Sequence, residues 1–207
     1  HLDLPMLHLS NAYVFDGEKR LAYNEQDETN PQGVYGLTTL EGEQKVSQHP
    51  KHIILRRGWL FGETKTSQIS SWVKSAQKHQ GQMMVSNRRF SPTATSHLAN
   101  AILAIAKQVD CEADAWGTYH YSGLETKTEQ EFVEQTIKYA ANHDETLYEL
   151  LDRLRVEDDD PRFPEIANST LSGKKLFDTF GIKQKSWHGQ LQEVVKSLFK
   201  RESFDSF

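Results

Sequence analysis

A tyrosine near the start of a predicted helix is the residue whose type and position most directly suggest chemistry. Residues 34–43 follow a loop rich in Asn, Pro and Gly, and Tyr35 and Thr39 are four residues apart, so they share one face of that helix. In many enzymes that transfer hydride to or from a nicotinamide, a tyrosine placed in this way carries the proton. A lysine one turn later lowers the pKa of the phenol and holds the ribose of the cofactor. This sequence keeps the tyrosine and has Thr39 in place of the lysine.

The elements that must position this tyrosine alternate between strands and helices. The hydrophobic periodicity, the turn signals and the capping residues predict strands at 6–10, 52–56, 82–86, 116–121 and 168–171, and helices at 34–49, 67–79, 95–107, 128–142, 146–154, 173–180 and 187–200. Residues 128–131 offer a capping box for the helix at 128–142, and Gly181 ends the helix at 173–180. The acidic run at 157–161 is interpreted as a solvated surface loop rather than a metal site. Strands that alternate with helices of ten or more residues are typical of an α/β domain with a largely parallel sheet.

Composition narrows the classes of function. The chain of 207 residues is 37% hydrophobic and 26% charged, which is typical of a globular domain. Its net charge of -5 and pI near 6.0 argue against nucleic acid or an anionic membrane as a partner. No apolar run approaches the roughly 18 residues of a membrane span. The single Cys111 excludes an internal disulfide, and the histidines lack metal-ligand spacing, so we expect a cytoplasmic protein without a metal site.

Eight short blocks, distributed along the whole chain, occur in a characteristic order and spacing. They lie at 13–17, 30–31, 34–43, 57–62, 89–93, 117–121, 168–171 and 175–187. Together they resemble the dTDP-4-dehydrorhamnose reductases, which are extended short-chain dehydrogenases that reduce a 4-keto sugar nucleotide with NADP(H) or NAD(H). The resemblance covers essentially all 207 residues.

The resemblance implies the C-terminal part of a Rossmann-like, doubly wound parallel sheet together with a small substrate-binding lobe. The whole of 1–207 is then one sugar-nucleotide-binding region. Residues 1–62 and about 83–110 would form the remainder of the Rossmann-like domain, and about 63–82 and 111–170 the lobe. The family's first half, with its glycine-rich pyrophosphate-binding loop, has no counterpart in this sequence, and we interpret the chain as N-terminally truncated.

The resemblance also assigns catalytic positions. Tyr35 matches the proton donor and, with Thr39, the cofactor-binding position. Asn11 stands where the family has a threonine that contacts the reacting oxygen; its amide can donate to a sugar oxygen but cannot relay a hydroxyl proton. Ser10 lies one step away, and on a strand that step reverses the direction of the side chain. For Ser10 and Asn11, the alternative is a polar strand end that faces a loop.

Substrate contacts are implied for Ser10, Tyr13, Trp59 and Arg89. Trp59 matches an aromatic residue beside the nucleotide-sugar, and its alternative is a core tryptophan. Arg88 and Arg89 precede a block that closes over the nucleotide in the family, and two guanidinium groups suit a diphosphate. Their alternative is a pair of solvated loop residues.

Three functional hypotheses follow. The first is a reductase-like protein whose hydride transfer is weak or lost, because acid-base assistance is typically worth about 10²–10⁴-fold in rate and two of its helpers are replaced. The second is a non-catalytic sugar-nucleotide-binding or regulatory subunit, as in the β subunit of methionine adenosyltransferase. The third is a fragment without a function of its own, with an exposed sheet edge. The implied partner is a nucleotide-sugar, and a homodimer is compatible with the sequence.

Overall fold

The computed structural model describes residues 4–63, 67–158 and 166–202. In its first half the strands are β1 (Met6–Asn11), β2 (His52–Arg57), β3 (Leu60–Phe61), β4 (Gln82–Val85), β5 (Arg89–Phe90) and β6 (Thr93–Ala94), and the helices are α1 (Val34–Val46), α2 (Gln68–Lys78) and α3 (Thr95–Asp110). In its second half they are β7 (Gly117–Tyr121), β8 (Lys127–Thr128), α4 (Glu129–Ala140), α5 (Glu145–Leu150), β9 (Arg155–Asp158), α6 (Lys174–Phe180) and α7 (His188–Glu202). Short 3-10 helices cover Ala12–Val14 and Leu151–Arg153.

A parallel three-stranded sheet in the order β1-β2-β7 supports the candidate site. Its register pairs Asn11 with Arg57 and Arg57 with Tyr121, so the carboxyl ends of all three strands lie at one edge of the sheet. The centre of β2 is apolar and buried, as expected for a strand covered on both faces. The α/β class and the parallel sheet predicted from the sequence are confirmed.

Helices cover the two faces of this sheet in different ways. On one face, α3 and α6 bury Leu98, Ile105 and Leu176 against Ile53 and Leu55. On the other face lies α1, which buries only Gly36 and Glu43. Since successive residues of a strand point to opposite faces, Arg56 is on the side of α1.

A second and larger hydrophobic core lies away from the sheet. It joins α2, α4, α5 and α7 with β4, and Phe132 of α4 is fully buried in it. The predicted capping box of α4 is confirmed, because Thr128 accepts from the backbone of Glu131 and the Glu131 side chain accepts from the backbone of Thr128. The predicted end of α6 is also confirmed, since Gly181 ends the helix with φ +67.

Two predicted elements differ in the structure. Residues 168–171 do not form a strand; they make isolated bridges, and Asn168 Nδ2 donates to the carbonyl oxygens of Lys19 and Leu21 at 2.6 and 3.1 Å. The acidic run predicted as a loop begins as part of β9, which pairs in parallel with β4. Backbone pairing requires no apolar side chain, so the charge pattern did not indicate it. The rest of that run, 159–161, lies outside the described residues.

No helix in the described part of the chain is both long enough and apolar enough to cross a membrane.

Candidate functional site

Asn11, Tyr35 and Thr39 meet where β1 ends and α1 begins. Asn11 Nδ2 lies 3.1 Å from the Tyr35 hydroxyl and 3.4 Å from Thr39 Oγ1, and donates to both. Asn11 itself is buried, whereas Tyr35 is 56% exposed. The structure therefore brings together the three residues that the sequence assigned to catalysis, with the phenol on the open side.

The orientation of the Asn11 amide is fixed by the backbone. Its Oδ1 accepts from the amide of Tyr13 at 2.9 Å and caps the first 3-10 helix, so Nδ2 must face α1. The Thr39 hydroxyl donates to the carbonyl oxygen of Tyr35 at 2.7 Å. Thr39 therefore accepts from Asn11 and gives its own proton to the helix backbone.

Ser10 has a different environment from its neighbour. Its hydroxyl is buried and donates to the carboxylate of Glu43, which also accepts from Arg56 Nε at 2.9 Å and Nη2 at 2.7 Å. Glu43 and Arg56 are both almost completely buried. The expected reversal of direction between Ser10 and Asn11 is present, and the side chain of Ser10 contributes to the anchoring of α1 rather than to the open side of the cluster.

The buried pair extends to His120 on β7. Arg56 Nη1 lies 3.5 Å from His120 Nε2, while His120 Nδ1 lies 3.1 Å from the carbonyl oxygen of Tyr23. Burial and the neighbouring Arg56 lower the pKa of His120 to about 3. The His120 amide donates to Glu25 at 2.8 Å, and burial raises the pKa of that carboxyl group. A polar layer thus lies directly beneath the helix that carries Tyr35.

Tyr13 forms an aromatic wall beside Tyr35. The two rings meet edge to face with centroids 5.6 Å apart, a preferred geometry for aromatic pairs. Gly36 makes this approach feasible, because a Cβ at that position would lie 2.1 Å from the carbonyl oxygen of Tyr13. Any larger side chain at 36 would push α1 away from the end of β1.

Arg88 fixes the position of the Tyr13 hydroxyl. Its Nη1 donates to the Tyr13 hydroxyl at 3.3 Å, and its Nε lies 3.0 Å from Glu129 Oε2 of α4. Arg88, which immediately precedes β5, is buried, whereas Arg89, the first residue of β5, is exposed. The expectation that both guanidinium groups face a diphosphate is therefore wrong for Arg88, because its charge is already paired inside the protein.

Trp59 follows the end of β2 and is half-buried. Its ring packs on Trp72, Phe90 and Phe132 at centroid distances of 5.8, 5.2 and 5.6 Å. It also borders a surface pocket of about 510 Å³. The polar and apolar residues that line this pocket with it include Phe61, Gly62, Ser67, Gln68, Ile69 and Thr95. Trp59 is thus a core residue that also borders a pocket, and its contact with a nucleotide-sugar stays a prediction.

The contacts made by Tyr35 and Thr39 test whether this site suits a nicotinamide cofactor. The exposed Tyr35 hydroxyl suits a ribose or a substrate oxygen. Thr39 does not reproduce a lysine, because its only proton is given to the helix backbone. Within the described residues, no lysine or arginine hydrogen-bonds the Tyr35 hydroxyl. The residues present therefore fit the cofactor only through the phenol.

Glu43, Arg56, Glu129 and His120 were missed as supporting residues. One signal existed for Arg56: it follows an apolar, buried strand run, and a charge in such a place needs a partner. The identity of that partner on α1 depends on the tertiary fold.

Known proteins that are similar to this chain identify its family. The model of the RmlD substrate binding domain matches residues 1–200. The dTDP-4-dehydrorhamnose reductase of Sinorhizobium fredii is 31% identical over 201 residues, which cover 95% of this chain and 67% of the relative. The reductase of Aggregatibacter actinomycetemcomitans is 29% identical over 198 residues, with coverages of 91% and 65%.

Solved structures give the same result. The crystal structure of a dTDP-4-dehydrorhamnose reductase from Clostridium acetobutylicum superposes with a TM-score of 0.78 at 26% identity, over 94% of this chain and 66% of that protein. A dTDP-4-dehydrorhamnose reductase from Bacillus anthracis, solved in complex with NADP, shares the fold with a TM-score of 0.70 at 22% identity, over 95% of this chain and 66% of that one. This chain spans about two-thirds of the length of these relatives. It belongs to the RmlD substrate binding domain family and is similar to the dTDP-4-dehydrorhamnose reductases.

Proposed function

We propose that the chain is a dTDP-4-dehydrorhamnose reductase-like protein that binds a nucleotide-sugar and in which hydride transfer is weak or lost. The observation that carries this proposal is the hydrogen-bonded cluster of Asn11, Tyr35 and Thr39, which keeps the proton donor and in which no lysine or arginine of the described residues hydrogen-bonds the phenol. The relatives named above are reductases of a dTDP-linked keto sugar, and this ligand class is carried over from them.

In the proposed reaction, Tyr35 donates its proton to the keto oxygen of the sugar. A bound nicotinamide, either NADP or NAD, would supply the hydride. Tyr35 is exposed and its ring is held by Tyr13, which supports the role of a positioned donor. Thr39 brings neither positive charge nor a free proton, so the electrostatic help that lysine gives and a contact to the ribose are both missing. General acid-base assistance is typically worth about 10²–10⁴-fold, which sets the scale of the expected loss.

The nucleotide end of the ligand is assigned to the region around Trp59 and Arg89. The pocket beside Trp59 offers an aromatic surface with polar groups at its rim, an arrangement common in sites for small molecules. Arg89 is exposed and its charge suits a diphosphate. Asn11 and Trp59 both stand at or just after the carboxyl ends of parallel strands, where ligands bind in open α/β sheets.

A second candidate function is a non-catalytic binding or regulatory subunit. The specific observation in its favour is that the proton of Thr39 is already used within α1, so that the site has a donor for a sugar and can contact a cofactor only through the phenol. Under this alternative a sugar nucleotide binds and a nicotinamide does not.

Calorimetric titration of this chain with a dTDP-sugar and, separately, with NADPH tests the proposal. We expect the sugar nucleotide to bind, and Trp59→Ala to weaken its binding. Tyr148→Ala, which replaces an exposed aromatic residue outside the described site, is the matched control. Absence of sugar-nucleotide binding would contradict the proposal.

A steady-state assay with NADPH and dTDP-4-dehydrorhamnose tests the proposed loss of activity. Slow turnover that disappears in Tyr35→Phe supports a residual donor role. Turnover at the ordinary rate of an enzyme would overturn the proposed loss, and binding of the sugar without NADPH would favour the regulatory subunit.

A further inference from the structure

The hydrogen bonds around Asn11 fix the direction of each donor in the cluster. Its Oδ1 is used by the backbone amide of Tyr13 at 2.9 Å, which leaves Nδ2 with two protons facing α1. One proton serves the Tyr35 hydroxyl oxygen at 3.1 Å, and the other serves Thr39 Oγ1 at 3.4 Å. Both donors of the amide are therefore used inside the protein.

The proton of the phenol is consequently left for a ligand. Asn11 can only donate to Tyr35, and Thr39 directs its own proton to the carbonyl oxygen of Tyr35. Neither residue accepts the phenolic proton in this arrangement. Because the Tyr35 side chain is largely exposed, that proton points to the open side of the cluster.

The ring itself is also held in place. Tyr13 meets it edge to face, and the Tyr13 hydroxyl accepts from Arg88, whose charge is paired with Glu129. The position of the phenol and the direction of its proton are therefore set by different residues.

We propose that Asn11 is a positioning residue that fixes Tyr35 as a hydrogen-bond donor toward the ligand, so that the site selects a sugar with an acceptor oxygen at the position facing Tyr35. This inference rests on the proposed function and makes it more specific. It also differs from the expectation that Asn11 donates to the sugar itself, since its amide protons are already used. The ligand class is a nucleotide-linked keto sugar, whose carbonyl oxygen only accepts.

The test uses Asn11→Asp, which keeps the size of the side chain and the acceptor for the Tyr13 amide. The carboxylate has no proton to donate and accepts the phenolic proton instead, so the Tyr35 hydroxyl donates to residue 11 and no longer to the ligand. The affinities for dTDP and for dTDP-4-dehydrorhamnose are measured calorimetrically in the wild type, Asn11→Asp, Tyr35→Phe and the double variant. Comparison of the four proteins isolates the coupling between the two residues.

We expect Asn11→Asp to weaken binding of the keto sugar about tenfold relative to dTDP, which is the scale of one lost hydrogen bond. In the Tyr35→Phe background the same change has no further effect on that ratio, because the phenolic proton is already gone. If Asn11 only caps the 3-10 helix, or if the new carboxylate only repels the diphosphate, Asn11→Asp has the same effect in both backgrounds. An equal effect in both backgrounds would therefore overturn the inference.

The ligand pair separates this inference from the proposed function. If dTDP and the keto sugar both fail to bind the wild type, the proposed function fails and the inference fails with it. If both bind and the cycle gives no coupling, only the inference fails. Thermal unfolding checks each variant, and Asn11→Ser, which retains a capping oxygen and lacks the amide donors, replaces Asn11→Asp if that variant does not fold. The same coupling with Tyr35 is expected for it, and its absence contradicts the inference.

Discussion

Two helices of this protein are held by different kinds of contact. The helix α1, which carries Tyr35, buries only Gly36 and Glu43, and a buried ion pair to Arg56 ties it to the sheet. The helix α4 is held mainly by apolar burial. The apolar residues it buries are Phe132, Val133, Ile137 and Ala140.

The contacts that stabilise a helix differ here from the contacts that fix its position. Apolar burial is favourable but non-directional, so it holds α4 without specifying one orientation of each side chain. A bidentate ion pair and a close backbone approach at Gly36 depend strongly on distance and angle, so they fix α1 in one position. The helix with the candidate catalytic residue is thus located by directional contacts. The helix without it is located mainly by apolar packing, to which the buried pair of Glu129 with Arg88 adds a directional contact.

Loss of apolar packing in α4 should have the largest effect on stability. Phe132 is fully buried and contacts Trp59, Phe61, Trp72, Phe90 and Trp187. Replacement of Phe132 by Ala should lower the free energy of unfolding by roughly 3–5 kcal/mol through lost contacts and a cavity, as measured by urea denaturation. Phe177→Ala, at a partly exposed aromatic residue of α6, is the matched control. Equal effects of the two substitutions would contradict the assignment of this core.

Disruption of the ion pair should have a somewhat smaller effect with a different signature. Glu43→Gln leaves the Arg56 guanidinium buried with a weakened partner and should lower the free energy of unfolding by roughly 3 kcal/mol. The double replacement Glu43→Met with Arg56→Met should regain most of that loss, because no unpaired charge remains. Ligand titrations distinguish a role in stability from a role in positioning. If the ion pair positions α1, the double variant is stable but binds the sugar nucleotide more weakly than the wild type. Wild-type affinity in the double variant would refute that role.

Acidification should affect the α1 side of the molecule gradually, with a smaller change for each pH unit than either of the preceding substitutions causes. The buried His120 has a pKa of about 3 in the folded protein, with Arg56 its strongest charged neighbour and Asp27 and Lys175 also acting on it. Its unfolded value is about 6.5, so the unfolded state binds the proton first. The contribution of His120 is therefore complete above the unfolded pKa and is lost as the pH falls below it, at up to about 1.4 kcal/mol per pH unit.

Urea denaturation of the wild type and of His120→Gln across this range measures that contribution. The difference between the two proteins removes the carboxyl groups that titrate in both, including Glu25, whose raised pKa acts in the opposite direction. A parallel pH dependence of the two proteins would contradict the assignment. His79→Gln, which replaces an exposed histidine, is the matched control for the substitution itself.

The sequence predicted those parts of the fold that local patterns record. The alternation of elements, the capping box at Thr128 and the helix end at Gly181 depend on nearby residues, and all are present. The placement of Asn11 beside Tyr35 was implied by the resemblance to the reductases, and no local pattern indicated it. The pairing of β9 with β4 was not predicted, because its acidic side chains carry no strand pattern.

Local sequence patterns could not predict the supporting contacts of the site, for a different reason. Glu43 and Arg56 lie on separate elements, so their pairing depends on how α1 crosses the sheet. Arg88 and Arg89 are adjacent and chemically identical, and only the direction in which the chain enters β5 decides which one is buried. No periodicity within the sequence sets that direction.

Thr39 is half-exposed on α1, and this position determines how readily the site can be engineered. Replacement of Thr39 by Lys and of Asn11 by Thr would restore the family pattern without any change to Glu43, Arg56 or the apolar cores. The long side chain of a lysine at 39 can extend into solvent, so the substitution demands little repacking. Among the residues of this site, the departure from the pattern that the resemblance implies is thus limited to Asn11 and Thr39, and two substitutions would reverse it.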